Sequence, residues 1–362
     1  MKKAILFKSK KRFSSFREKL LRYGVEFEIL DFSEQEWIEF DYSDVDFVIY
    51  FPSFRFTSNH PLSLHEVHDN LMYIHSQYPR LKIFPDPNVI KYYNDKYRQF
   101  LFLKKNMFPI PKTIALFSER SVDLASETLG YPMVVKNRYG ASGGTVFRVF
   151  EKKELLRLFK ISQMNLFNYE SVRYFLSMLK EREFYYHLIK ERNASYPFLS
   201  PPLLAQEFVT ISRDLKTVVG DGKVVEAHWR YKANDEMWKV NIDAGGVGVW
   251  SKVDQAAIDV SVRLARELDA RWINLDLIER DGEFLITEFS PVWHHYAYKE
   301  KPTFVYNDDY DIEMPLEVSL DLERIIVESL MGEGNTYREC SNRSSGSDHL
   351  ASAADGSSVW GE

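Results

Sequence analysis

Tyr131-Pro132-Met133-Val134-Val135-Lys136 is followed, two residues on, by Tyr139-Gly140-Ala141-Ser142-Gly143-Gly144, and Thr145 to Phe150 then resumes apolar character. The first stretch reads as a strand ending on a lysine, the last as a returning strand, and the middle as a hairpin tip rich in glycine and serine. Without side chains, Gly140, Gly143 and Gly144 let the backbone approach a phosphate closely and adopt positive φ, and Ser142 adds a hydroxyl. A Walker A loop is excluded, because no Lys-Ser/Thr pair follows the last glycine. The dinucleotide fingerprint is excluded as well, because a strand rather than a helix follows. A plain hairpin with a flexible turn is the competing reading of the loop alone. Upstream, Asn94-Asp95-Lys96 opens a helix over 94–106, where Lys96 is either a phosphate contact or a solvated surface lysine.

A second feature lies downstream. Trp272 to Ile278 is an apolar strand with Asn274 and Asp276 on one face, and Glu283 to Phe289 returns, followed by Ser290. Polar groups inside apolar strands are costly to bury without partners. Two registers are open. A three-residue loop sets Asp276 opposite Glu288 and Asn274 opposite Ser290; a two-residue Asp281-Gly282 turn sets Asp276 opposite Thr287 and sends Glu288 to the other face. Two facing carboxylates repel unless a cation lies between them, and Mg²⁺ is the hard, oxygen-seeking choice. The alternative is two partly exposed acids paired with Arg230 or Lys239.

Outward from these features the chain alternates strands and helices. Residues 4–7, 26–30, 45–50 and 81–84 read as strands around a helix at 12–23, where Phe13, Phe16, Leu20 and Leu21 hold helical spacing. This β–α–β rhythm predicts a small parallel sheet over 1–88. Residues 152–159, 169–188 and 256–268 have helical patterns, 205–209 is strand-like, and 215–219 with 223–228 form a hairpin around Asp221-Gly222. From Glu333 onward the chain turns polar and small, so 333–362 reads as a disordered tail.

Composition narrows the classes further. The chain has 362 residues, 45% hydrophobic and 28% charged, with a net charge of -6, which argues against binding nucleic acid through bulk positive charge. The single cysteine, Cys340, excludes an internal disulfide and a cysteine-rich zinc site, and fits a cytoplasmic protein. No stretch approaches the ~20 apolar residues of a membrane helix. Behind Met1-Lys2-Lys3 the apolar run is only Ala4 to Phe7, a first strand rather than a signal peptide.

In order along the chain, these pieces resemble the ATP-grasp superfamily of carboxylate–amine ligases, and within it the RimK-like branch. The likeness covers roughly residues 80–300. Lys96 and Lys136 resemble the family's two nucleotide lysines, and Gly140, Ser142, Gly143 and Gly144 its phosphate-covering loop. Leu204 to Val209 is similar to the hinge strand at adenine, with Gln206, Glu207, Phe208 and Val209 at the base and Asp214 near the ribose. Lys239-Val240-Asn241 looks like the stretch that closes over the triphosphate. Asp276, Glu288 and Ser290 resemble the metal ligands, with serine where the family has asparagine. By the same likeness Arg230, Lys216 and Asn241 are the catalytic residues.

The resemblance implies an α/β (α+β) ATP-grasp fold. A small parallel-sheet, Rossmann-like pre-ATP-grasp domain at 1–88 would precede two α+β subdomains clasping ATP, a central one at 89–204 and a C-terminal one at 205–332. It implies ATP with one or two Mg²⁺ (or Mn²⁺), and ADP-forming amide synthesis through an acyl phosphate. The acceptor would be a small metabolite, sugar acid or peptide. No nucleic acid or membrane partner is expected, and a homodimer is the default assembly. Two alternatives stand beside it: a peptide-modifying ligase that forms macrocycles or adds amino acids, and an ATP-binding protein or kinase on the same fold. Trp293, His294 and His295, and a cluster of Phe54, Arg55, His60, His65 and His68, are further candidates for acceptor contacts.

Overall fold

Short apolar runs separated by amphipathic helices build the first layer: β1 (Lys3–Phe7), α1 (Phe13–Arg22), β2 (Glu26–Leu30), α2 (Glu36–Glu39), β3 (Phe47–Ile49), α3 (Leu64–Gln77) and β4 (Lys82–Phe84). Its strands form one parallel sheet in the order β2-β1-β3-β4. In α1, Phe16 and Leu20 are fully buried one turn apart, while Leu21 is 61% exposed, so the apolar stripe is narrower than the spacing alone suggests. The computed structural model describes residues 2–9, 12–52, 64–140, 145–163, 169, 172, 173, 176, 199–234, 236–240, 246–249, 253–292, 303–306, 312–316 and 321–332. Most of the helical pattern at 169–188 and all of the tail at 333–362 lie outside these residues.

The second layer follows as α4 (Pro87–Ile90), α5 (Lys96–Lys105), β5 (Thr113–Leu116), α6 (Glu119–Leu129), β6 (Met133–Lys136), β7 (Val146–Val149), α7 (Lys152–Ser162) and β8 (Leu203–Glu207). Its antiparallel sheet runs β5-β8-β6-β7. Strand alternation divides the residues. Met133, Val135, Val149, Leu203 and Ala205 pack in one core with Val122 and Ala125 of α6 and Leu155 and Phe159 of α7. The other face carries Val134, Lys136, Arg148, Leu204 and Gln206.

The third layer comprises β9 (Arg213–Gly220), β10 (Lys223–Tyr231), β11 (Val247–Val249), α8 (Gln255–Glu267), β12 (Trp272–Arg280) and β13 (Glu283–Ser290). The sheet order is β11-β10-β9-β12-β13. Leu215, Ala227, Trp229, Ile273, Leu275, Leu277 and Phe289 are buried with Ala257, Ile258 and Leu264 of α8. By register the opposite face carries Asp214, Lys216, His228, Arg230, Asn274 and Asp276.

A two-stranded pair, β14 (Thr303–Tyr306) and β15 (Ile312–Leu316), precedes α9 (Leu322–Met331). This last helix returns to the first layer: Leu322, Ile325, Ile326, Val327 and Leu330 join the core of β1, β3 and α1. Arg12 pairs with Glu323, and Lys19 lies 2.7 Å from Asp321. β5, α6 and α9 are elements that the sequence reading leaves out. Among the described residues no helix is long and apolar enough to cross a membrane.

Candidate active site

The β12–β13 hairpin combines features of both registers. Its turn is the two-residue one, with Asp281 and Gly282 at φ 52° and 82° and Arg280 opposite Glu283. A regular ladder from there would set Asp276 opposite Thr287. Instead a β-bulge makes Thr287 the extra residue, so that Asp276 faces Glu288 and Asn274 faces Ser290. Residues directly opposite on one face have Cβ atoms about 4.5–5.5 Å apart. The Thr287 hydroxyl donates to the Asp276 carbonyl at 3.0 Å, holding the bulge.

Cations gather around Asp276. Lys216 Nζ lies 2.7 Å from Asp276 Oδ1 and donates to Asn274 Oδ1 at 3.0 Å. Arg230 grips Asp214 through two bonds of 2.7 Å and reaches Asp276 Oδ2 at 3.3 Å. Burial works against the Asp276 charge, but Arg230 and Lys216 outweigh it and hold the carboxyl well below the usual carboxylate range. For Asp214, burial prevails over Arg230 and raises the carboxyl above that range. Arg230 is thus the partner that the alternative reading offered to Asp276. Lys239 is elsewhere, donating to the Val146 carbonyl at 2.6 Å, and burial lowers its pKa.

The second layer supplies two more ammonium groups. Lys96, buried at the start of α5, donates to the Gly140 carbonyl and sits 3.4 Å from Glu288 Oε1. Lys136, at the end of β6, donates to the Thr287 carbonyl at 3.2 Å. Asp95 caps α5 through the Arg98 N–H at 3.0 Å and accepts three bonds from the Arg138 guanidinium, at 3.1, 3.1 and 2.8 Å. The shoulder of the glycine-rich tip is thereby stapled to the helix that carries Lys96. Gly140 itself has φ 133°, and a Cβ there would run into the Thr145 hydroxyl.

Gln206 and Glu207 lie farther along the same sheet. Glu207 pairs with Met133, and Leu204 with Lys136; three residue steps of strand place them about 10 Å apart. The Gln206 amide donates to Thr113 Oγ1 at 2.8 Å. Glu207 accepts from the Lys112 N–H at 2.8 Å and pairs with Arg280 at 2.7 Å, tying the second sheet to the third. The Phe208 ring lies 6.2 Å from Trp238, and the Arg148 guanidinium stands over both, at 5.7 and 5.5 Å. Val209 follows the strand half-buried. The Ser290 hydroxyl donates to the Val292 carbonyl at 2.8 Å and accepts from the Val292 N–H at 3.3 Å.

The fold therefore brings Lys96, Lys136, Lys216, Arg230, Asp214, Asp276 and Glu288 together, four cations against three carboxylates. That surplus of positive charge suits a polyanion. Two facing carboxylates are the donor type that a hard divalent cation selects. Among the described residues there is no cluster of three or more His, Cys, Asp or Glu side chains fit for a metal. An ion held here would fill its shell from phosphate oxygens and water. Asn241, Ser142, Gly143 and Gly144 lie outside the described residues, as do Trp293, His294, His295, Phe54, Arg55 and His60 and the side chain of His65. His68 is described, on α3, with Nδ1 2.9 Å from the Asp69 carboxylate. The sequence reading missed the Asp95–Arg138 clamp, Arg148 and Gln99. Only the capping position of Asp95 leaves a local signal; the rest depends on which strands become neighbours.

No family model matches the chain. Over 200 residues it is 26% identical to beta-citrylglutamate synthase B of Danio rerio, a match spanning 54% of this chain and 40% of that protein. Over 193 residues it is 25% identical to alpha-aminoadipate--LysW ligase LysX of Saccharolobus solfataricus, spanning 52% of this chain and 58% of that protein. The chain spans about half the length of the curated relatives it matches. Its fold is similar to N5-carboxyaminoimidazole ribonucleotide synthetase from Thermotoga maritima (TM-score 0.57, 15% identity, 91% of this chain and 76% of that one). It is also similar to the ATP-grasp ligase PsnB complexed with minimal precursor (TM-score 0.55, 13% identity, 92% and 99%). A third likeness is to a RimK domain ATP-grasp protein from Sphaerobacter thermophilus (TM-score 0.50, 11% identity, 79% and 90%). At these identities the structural likeness is one of fold.

Proposed function

We propose that this chain, a member of the ATP-grasp superfamily with RimK-like relatives, is an ATP-dependent ligase that joins a carboxylate to an amine and releases ADP. The observation that carries this reading is the meeting of Lys96 with Glu288, and of Lys136 with the Thr287 carbonyl, across the junction of the second and third sheets. ATP is the substrate that fits: a base against Phe208 and the Glu207 backbone, phosphates at Lys96 and Lys136. Asp276 and Glu288 would hold Mg²⁺, whose charge, when bound, offsets that of the β- and γ-phosphates. The Ser290 hydroxyl is already spent on Val292, so the two carboxylates are the stronger pair of ligands.

In this reading a substrate carboxylate oxygen attacks the γ-phosphorus, the bond to ADP breaks, and an acyl phosphate forms. The amine nitrogen then attacks the acyl carbon, phosphate leaves, and the amine proton passes to phosphate or solvent. No side chain becomes covalently attached. Arg230, fixed by both oxygens of Asp214, would offer its remaining N–H groups to the developing oxyanion. Lys216 would assist from the opposite side of Asp276. The glycine-rich tip would shield the intermediate from water. The first sheet would contribute to the acceptor side.

A second substrate class has its own support. PsnB, whose fold is similar over 92% of this chain, was solved complexed with minimal precursor; a peptide carboxylate is the second substrate class we propose beside a small acid. Hydroxylamine tests both, because it traps an acyl phosphate without the natural amine. With ATP, Mg²⁺ and separate pools of small acids and acidic peptides, one pool should yield a hydroxamate and an equal amount of ADP. AMP release, or ADP release with no hydroxamate from any pool, would contradict the ligase reading. ADP release with a phosphorylated product would instead favour a kinase.

A further inference from the structure

β13 is the edge strand of the third sheet, and its outer side is closed by a helix and a loop instead of another strand. Gln99 sits one turn after Lys96 on α5 and is 2% exposed. Its amide donates to the Phe289 carbonyl at 2.9 Å, and its carbonyl oxygen accepts from the Phe289 N–H at 3.2 Å. These are the two bonds that a neighbouring strand would make. The remaining amide hydrogen goes to the Tyr92 carbonyl at 2.9 Å, so the group is fully used. Three residues before Phe289, the Ile286 N–H donates to the Pro109 carbonyl at 2.8 Å.

Between these two anchors lie only Thr287 and Glu288. A bulge interrupts the ladder and leaves its extra residue unpaired. The unbulged register would turn Glu288 from the site and push Phe289, 1% exposed, out of its core. The outer anchors fall on the residues that flank the bulge. Through Gln99 the helix that carries Lys96 grips the strand that carries Glu288.

We infer that Gln99 is a positioning residue: by bonding both polar backbone atoms of Phe289 it holds the Thr287 bulge and so aims Glu288 at the cation site. The assignment rests on the proposed Mg²⁺–ATP reading of the cleft. Polar groups that orient a metal ligand commonly govern metal affinity about as strongly as some ligands do, with losses of about 10–100-fold on mutation.

The test is calorimetric titration of ADP into the full chain, with and without Mg²⁺, for wild type and Gln99→Met. Methionine keeps the length and leaves Phe289 without its partners. Q99M is expected to fold and to bind ADP without Mg²⁺ as wild type does, while the gain in affinity on adding Mg²⁺ falls about 10-fold or more. A core role alone would lower the melting temperature and leave that gain intact. A wild-type Mg²⁺ gain in folded Q99M would overturn the assignment and leave the cleft reading standing. Absence of any Mg²⁺ gain in wild type would overturn the cleft reading, and the role of Gln99 with it. Should Q99M not fold, Gln99→Asn carries the same test, because its shorter amide cannot span both atoms of Phe289. Failure of both to fold would make Gln99 a residue of core stability and end the assignment.

Discussion

The Lys136 ammonium shares its surroundings with Glu288, Lys96 and Asp276. Burial pulls its pKa down to about 8, with Glu288 and Asp276 opposing and Lys96 adding to the shift. A nucleotide phosphate favours the charged form, so ADP affinity should fall as pH rises past 8. Each ADP bound between about pH 8 and 9 should draw a proton from solution. Titration in buffers of different ionisation enthalpy reads this uptake, and Lys136→Met should abolish it and weaken ADP about 10–100-fold. Folding stability has the opposite slope. The unfolded chain keeps this proton to about pH 10.4 and the folded one releases it near 8, so this lysine's contribution to stability rises with pH across that window. Arg230 offers a second expectation. Its bidentate hold on Asp214 with a reach to Asp276 needs a planar fork. Arg230→Lys should cut kcat for ADP release at least about tenfold, as loss of a fixed oxyanion donor does elsewhere. At this scale the sequence offers residue types but not partners. Lysines ending a strand or opening a helix, and acids inside apolar strands, stand out locally. That Lys216 rather than Lys239 serves Asp276 depends on β9 lying beside β12, which no local pattern encodes.

Among the elements, the two hairpins of the third sheet were the most legible, since Asp221-Gly222 and Asp281-Gly282 each sit between apolar runs and each turns with positive φ. The bulge at Thr287 was not legible. Turn chemistry favoured the two-residue register and the pairing of polar residues favoured the other, and the chain satisfies both by inserting one residue. α5 is legible from the helical pattern of 94–106, but Gln99 looks like any helix-surface glutamine until β13 lies against it. Packing at the other end of the sheet gives a stability expectation. A Cβ added at Gly220 would stand 2.6 Å from the Trp272 ring, which is fully buried. Gly220→Ala should therefore cost about 1–3 kcal/mol by overpacking. Thermal unfolding checks this, with ADP affinity at low temperature unchanged because the strain lies far along β9 from Lys216.

Across the whole molecule the chain closes on itself. α9 joins the core of the first sheet more than 290 residues after α1. Its apolar face is present in the sequence, but nothing local says which layer it covers. Ile326 is fully buried there, and Ile326→Ala should cost about 2–5 kcal/mol, visible as a lower denaturant midpoint. A shift near zero would mean that α9 is not part of that core in solution. The order of layers follows from the alternation of elements, whereas the charged site forms only where the second and third sheets meet, at Lys96, Lys136 and Glu288.

That meeting is most directly tested by equilibrium titration of ADP into the wild-type chain, Asp276→Asn and Glu288→Gln, each with and without Mg²⁺. The account expects Mg²⁺ to tighten ADP at least tenfold in wild type, about 1.4 kcal/mol, and to lose that effect in both variants. Nucleotide binding that ignores Mg²⁺ in the wild-type chain, or no binding at all, would contradict it.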